Sequence, residues 1–346
     1  MYSDTPHILV IRFSAMGDVA LTVPVLRSLT QKYPDVKITV LSRNFFKPLF
    51  QEFPQINFFP ADLKGRHKGL SGLFTLSKEL KRLGVTHVAD LHNVLRTKVL
   101  RKFLTSSAIK IQKIDKGRKE KKALTRAKNK LFVPLKPTVE RYADVFEELG
   151  FAVDMAAHRF PGKKVLKNSA ASFFSAMQKN IGIAPFAAHP GKMYPPDLME
   201  EVIKKLDASG KYRILLFGGG DQEAVTLNQF ESKFSNVKNL AGKLSFEEEL
   251  SVIANLKLML AMDSGNAHLA AIYGVPTLTL WGVTHPYAGF YPFNQPLENA
   301  LTADREIYPL IPTSVYGNKI PAGYENAMRT IIPEQVIEKI QSYTSS

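Results

Sequence analysis

Met262-Asp263-Ser264-Gly265-Asn266-Ala267-His268 lies between two apolar runs, residues 256–261 and 276–280, and reads as a strand ending in a polar turn that opens a short helix. The first unpaired N–H groups of such a helix and the positive end of its dipole suit an anion, and a diphosphate fits there. Asp263 and Ser264 are natural N-cap residues, Gly265 lets an anion approach the backbone, and His268, one turn past Ser264, shares its helix face. The same residues also read as a well-capped helix with no ligand.

Five further stretches carry residue types suited to a phosphorylated, hydroxyl-bearing substrate. Ser14-Ala15-Met16-Gly17-Asp18 follows the apolar run 7–13. It has one glycine and ends in an acid, unlike the dinucleotide fingerprint G-x-G-x-x-G, which argues against a nicotinamide enzyme. A carboxylate at a helix start can take the proton of a sugar hydroxyl as that hydroxyl attacks, or it can simply cap the helix. In Ala187-Ala188-His189-Pro190-Gly191-Lys192-Met193-Tyr194-Pro195, Lys192 stands in a turn before a helix, where its ammonium can neutralise charge on a departing diphosphate or remain a surface cation.

Gly218-Gly219-Gly220 lets the backbone come close to a ring or ribose, Glu223 can bind hydroxyls, and Thr284 sits in a similar loop after Trp281; ordinary strand-to-helix turns explain both stretches equally well. Asp90-Leu91-His92-Asn93 and Arg96 end another apolar run, where His92, Asn93 and Arg96 can meet an acidic acceptor or hold the turn together.

The elements that must position these residues alternate. Strands are expected at residues 7–13, 37–42, 56–59, 86–91 and 108–112, and helices at 19–33 (kinked or restarted near Pro24), 44–50, 70–83, 94–104 and 139–149. The pattern lapses between residues 160 and 172, where we place a domain boundary. It resumes with strands at 180–185, 212–217, 257–261 and 276–280 and helices at 196–208, 222–230, 245–255, 267–273 and 333–343. Alternation of this kind implies parallel sheets covered on both faces. The expected organisation is a first domain over residues 1–165, a second over 175–330 and a C-terminal helix in 331–346. Ligands of such folds bind at the C-terminal ends of the strands, so two domains in series are expected to face each other across a cleft.

The chain is long enough for two cores at 346 residues, has no cysteine for a disulfide framework or thiolate metal site, and opens on a short polar stretch unlike a signal peptide. Its longest nearly apolar run, 269–283, is broken by Gly274 and Pro276, and a cytoplasmic protein is expected. The net charge of +15 is concentrated between Arg96 and Lys136, where fifteen Lys or Arg face only Asp115 and Glu120, a balance of +13 that leaves +2 elsewhere. Such a field favours an anionic partner: nucleic acid, a phospholipid surface or a phosphorylated substrate. Aromatics are sparse within the run, so the stacking platform of a single-strand binder is missing and no nucleic-acid partner is expected.

Taken in order, Phe13-Ser14-Ala15-Met16-Gly17-Asp18-Val19 with Pro24-Val25-Leu26, Lys192-Met193-Tyr194-Pro195, Phe217-Gly218-Gly219, Leu240-Ala241-Gly242, and Met262-Asp263-Ser264-Gly265 with His268-Leu269-Ala270-Ala271 resemble the ADP-heptose:lipopolysaccharide heptosyltransferases of glycosyltransferase family nine. The resemblance implies a GT-B fold of two Rossmann-like doubly wound domains and an inverting transfer from a nucleotide-diphosphate heptose without an obligatory metal or other cofactor. It implies Asp18 as general base and Lys192 as the group steadying the leaving phosphate. Donor contacts are expected from Gly218, Gly219, Glu223, Asp263, Ser264, Gly265, His268 and Thr284, and acceptor contacts from Met16, Gly17, His92, Asn93 and Arg96. The acceptor it implies is the acidic, lipid-linked inner core of lipopolysaccharide (Kdo-lipid A type), with peripheral contact at the inner membrane. A different nucleotide sugar on the same fold, or a non-catalytic polyanion binder, are the alternatives. Ala187 and Ala188 depart from the hydroxyl side chains frequent in the family, and Tyr194 stands where tryptophan is common.

Overall fold

The computed structural model describes residues 5–344; residues 1–4 and 345–346, which include most of the polar N-terminal stretch, lie outside the described residues. The chain divides into two compact units. One comprises the residues up to Lys116 together with Thr138–Phe160, the other Gly117–Pro137 together with the residues from Pro161 onward. The boundary at Phe160 falls where the alternation lapses. Residues 117–137, assigned by the sequence reading to the first domain, instead pack with the second unit.

The first unit is built on five parallel strands, β1 (His7–Ile11), β2 (Lys37–Ser42), β3 (Ile56–Pro60), β4 (His87–Asp90) and β5 (Lys110–Lys113), in the order β3-β2-β1-β4-β5. Every residue of β1 is buried, as expected of a central parallel strand whose two faces are both covered. Leu9 and Ile11 of β1 and Val88 of β4 pack with Leu73, Leu76 and Leu80 of the helix Gly69–Arg82 and with Leu100 and Leu104 of the helix Leu95–Leu104. The turn after β1 opens the five-residue helix Met16–Ala20, and the chain restarts as Thr22–Lys32 with Pro24 in its first turn, where a missing N–H costs nothing.

The second unit holds six parallel strands, β6 (Lys179–Ala184), β7 (Tyr212–Leu216), β8 (Val237–Asn239), β9 (Leu258–Met262), β10 (Thr277–Trp281) and β11 (Ala300–Thr302), ordered β11-β10-β9-β6-β7-β8. Ile181, Ile183, Leu258, Leu260 and Met262 form its core with Met199, Val202, Ile203 and Leu206 of the helix Pro196–Ala208 and with Val336 and Ile340 of the last helix, Pro333–Thr344. That last helix therefore belongs to the second unit.

In each sheet the strand order reverses once, between β1 and β4 and between β6 and β9. Loops leaving the carboxyl ends of two such strands diverge to opposite faces and open a crevice, the usual ligand site of this architecture. Asp18 follows β1, His92 follows β4, Lys192 follows β6 and Ser264 follows β9, so each unit brings two of the polar stretches to its own reversal point. No helix among the described residues is long and apolar enough to cross a membrane.

Candidate active site

In the first unit the reversal point is organised by Arg12, which is 6% exposed. A guanidinium that deep needs acceptors and a counter-charge. Nη1 donates to the carbonyl of Leu91 at 2.7 Å, Nη2 lies 2.5 Å from Oδ2 of Asp18, and the group stacks over the Tyr142 ring at 5.9 Å. Asp18 is the third residue of its helix, and Oδ2 also accepts the N–H of Ala15 at 3.2 Å. One carboxylate oxygen is thus fixed twice, while Oδ1 accepts no hydrogen bond from any described residue. Tyr142 donates to the carbonyl of Asp18 at 3.2 Å, and burial pushes its phenol far above the usual range, so it stays a donor.

Beyond β4, Asp90 is fully buried. Its Oδ1 accepts the N–H groups of His92 (3.0 Å) and Asn93 (2.8 Å), and Oδ2 pairs with Arg101 at 2.9 Å. This clamp holds Asn93 at φ 45°, and the Asn93 amide is itself engaged, donating to the carbonyl of Ile114 and accepting from Arg101. His92 stands edge-on to Phe13, and Nδ1 accepts the Phe13 N–H at 3.4 Å. Burial first and the charge of Arg12 second push its pKa down to about 3, so the ring is neutral with its proton on Nε2. Met16 and Gly17 are half-buried beside Asp18, and Arg96 is exposed.

In the second unit Lys192 Nζ lies 2.9 Å from Oδ2 of Asp263, both side chains largely buried. Lys192 ends a short turn, Pro190–Lys192, that only glycine backbone can approach. A Cβ on Gly191 would strike Val283 and the Gly317 carbonyl, and one on Gly282 would strike the Gly191 carbonyl and Met328. The N–H of Val283 donates to the Gly191 carbonyl at 2.9 Å, which ties the loop carrying Thr284 to the lysine turn. Ser264 occupies the N-cap of the helix Gly265–Ala271 without spending its hydroxyl on it. Ser264 Oγ and Thr284 Oγ1 are buried polar atoms with no hydrogen-bond partner among the described residues. His268 is buried one turn further along the helix.

At the end of β7, Glu223 reaches back and accepts the Gly219 N–H at 2.8 Å, so its carboxylate closes the glycine turn. An added Cβ on Gly218 would press on the same carboxylate. Tyr194 turns into the core, with its hydroxyl donating to the Ile331 carbonyl at 2.7 Å, which explains a rigid lysine turn.

The basic run is divided. Arg101 serves Asp90 in the first unit, whereas Lys130, in the second, donates to the carbonyls of Leu124, Leu310 and Pro312. Burial and the neighbouring Arg305 lower the Lys130 pKa to about 8. Among the residues that sequence reasoning did not single out, Arg12, Tyr142 and Gly317 touch the candidate groups directly. An arginine at the end of an apolar run, forced to find a carboxylate, was the available signal for the first.

The sequence model described as Glycosyltransferase family 9 (heptosyltransferase) matches residues 73–312. Lipopolysaccharide heptosyltransferase 2 of Salmonella typhimurium is 27% identical, with 98% of each chain covered. Among solved structures, a family 9 glycosyl transferase from Veillonella parvula superposes with a TM-score of 0.77 at 21% identity, covering 100% of this chain and 99% of that one. The ADP-heptose lps heptosyltransferase II of Escherichia coli gives 0.67 at 21% identity, covering 97% and 98%.

Proposed function

This chain belongs to glycosyltransferase family 9, and on that footing we propose that it moves a heptose from ADP-heptose to the inner core of lipopolysaccharide, on a Kdo-lipid A type acceptor, with inversion at the anomeric carbon. The observation that carries the reading is the second unit's reversal point. A largely buried lysine–aspartate pair stands there beside two buried hydroxyls, Ser264 and Thr284, that no described residue satisfies. Buried polar groups left unpaired are costly, and phosphate oxygens are the acceptors that such hydroxyls and an ammonium would share.

In this reading the second unit holds the donor. Ser264, Gly265, His268 and Thr284 contact the diphosphate, with Asp263 keeping Lys192 in place, and Gly218, Gly219 and Glu223 meet the ribose or sugar hydroxyls. The first unit activates the acceptor. As the acceptor hydroxyl attacks and the C–O bond to the diphosphate breaks, Oδ1 of Asp18 takes the hydroxyl proton and Lys192 offsets the charge on the departing ADP. Met16, Gly17, His92, Asn93 and Arg96 serve as acceptor contacts, with Asn93 first releasing its present partners. The enzyme works in the cytoplasm, in peripheral contact with the membrane that carries its acidic, lipid-linked acceptor.

The test incubates the purified protein with a panel of nucleotide sugars and Kdo-lipid A, reading the acceptor mass. A gain of one heptose from ADP-heptose alone supports the assignment; transfer of another sugar, or none, overturns it.

A further inference from the structure

The loop that follows β11 contributes no residue to the chemistry just described, yet its backbone lies against the side chain that steadies the leaving group. Gly317 sits at φ +79°, and a Cβ built on it would overlap Cγ and Cδ of Lys192. Its carbonyl also faces Gly191, the middle residue of the lysine turn. This approach is held from several sides. Ser314 Oγ accepts the N–H groups of Tyr316 (3.1 Å) and Gly317 (3.0 Å), the Ser314 hydroxyl donates to Asn318, and the N–H of Thr313 donates to the Val283 carbonyl at 2.9 Å. Upstream, Lys130 grips the carbonyls of Leu310 and Pro312, each at 2.7 Å, and Arg305 grips that of Ile311 at 2.9 Å.

A lysine stem has four rotatable bonds, and an ammonium on a free stem samples many positions. One whose Cγ and Cδ lie against fixed backbone is restricted near the one rotamer that places Nζ beside Asp263. We propose that Gly317 is a positioning residue for Lys192: the turn at residues 313–318 presses a side-chain-free stretch of backbone on the lysine stem and so aims its ammonium at the leaving diphosphate. The left-handed backbone and the missing Cβ are both required, which only glycine supplies without strain. The proposal rests on the role given to Lys192 above.

The experiment is a double-mutant cycle on the full chain with ADP-heptose and Kdo-lipid A, reading kcat, donor KM and the thermal midpoint for Gly317→Ala, Lys192→Ala and the pair. If Gly317 acts through Lys192, Gly317→Ala lowers kcat about tenfold or more alone and lowers it no further once the stem it collides with is gone. Ser314→Ala, which keeps the glycine but frees the turn, lowers kcat in the same direction and is likewise silent in the Lys192→Ala background. Equal losses in both backgrounds overturn the proposal, because they report a structural role alone. So does full turnover by Gly317→Ala beside a crippled Lys192→Ala. Full turnover by Lys192→Ala overturns the role of Lys192 itself, and the proposal with it.

Discussion

The guanidinium of Arg12 holds one oxygen of Asp18, at 2.5 Å, and the other accepts no hydrogen bond among the described residues. A carboxylate fixed in this way is oriented without being fully occupied, which is what a proton acceptor requires. Arg12 itself is buried, so the pair is also structural, and removing either partner has two separable effects.

Asp18→Asn keeps donor binding and loses turnover by about 10²- to 10⁴-fold, the range supplied by a positioned base. Because Arg12 then lacks its counter-charge, the variant also loses about 1–3 kcal/mol of stability, seen as a lower denaturation midpoint. Steady-state kinetics beside calorimetric ADP affinity separate the two, and undiminished transfer removes Asp18 from the mechanism.

Lys192→Ala slows transfer further than it weakens donor affinity, since charge on the diphosphate grows as the bond to the sugar breaks. The contrast is read as a fall in kcat exceeding the rise in donor Kd. An effect on affinity alone reduces Lys192 to a binding residue.

Acidification destabilises the fold partly through His92. The folded chain keeps this ring neutral down to about pH 3, whereas the unfolded chain protonates it near the ordinary histidine value of 6.5. Between those values the unfolded state binds more protons, so stability rises with pH across the window and is lost as pH falls. His158 and His285, each lowered to about 4 chiefly by burial, act in the same sense. Urea unfolding between pH 4.5 and 7 checks this: His92→Gln flattens the dependence, and an unchanged slope contradicts it.

Lys130→Met removes three hydrogen bonds to backbone carbonyls and leaves Leu124, Leu310 and Pro312 without that donor. We expect a loss of about 2–3 kcal/mol, less than the sum of three separate bonds because the carbonyls regain water in part. A midpoint within error of the parent chain shows instead that the 117–137 segment needs no such anchor.

Much of the fold is legible in the chain because the central strands of parallel sheets are apolar on both faces. The runs around Leu9 and Leu260 announce β1 and β9, and the polar residue after each run marks a site candidate. The edge strands β8 and β11, three residues each, are too short to show such a pattern. The helix after β9 starts at Gly265, two residues earlier than its apolar periodicity suggests, because Ser264 and Gly265 are polar or small where the helix must begin. The placement of residues 117–137 was illegible for another reason. A row of cations reads as solvated, and two of the three acceptors that fix Lys130 are main-chain carbonyls 180 and 182 residues away. Gly317 is equally silent in the sequence, since a glycine in a loop carries no sign of the side chain lying against it.

The most direct measurement is ADP release from ADP-heptose by the purified protein, followed in a coupled assay with and without Kdo-lipid A. The account predicts release that depends on the acceptor and is matched mole for mole by heptosylated lipid. Release at the same rate without acceptor, or no release with it, contradicts the account.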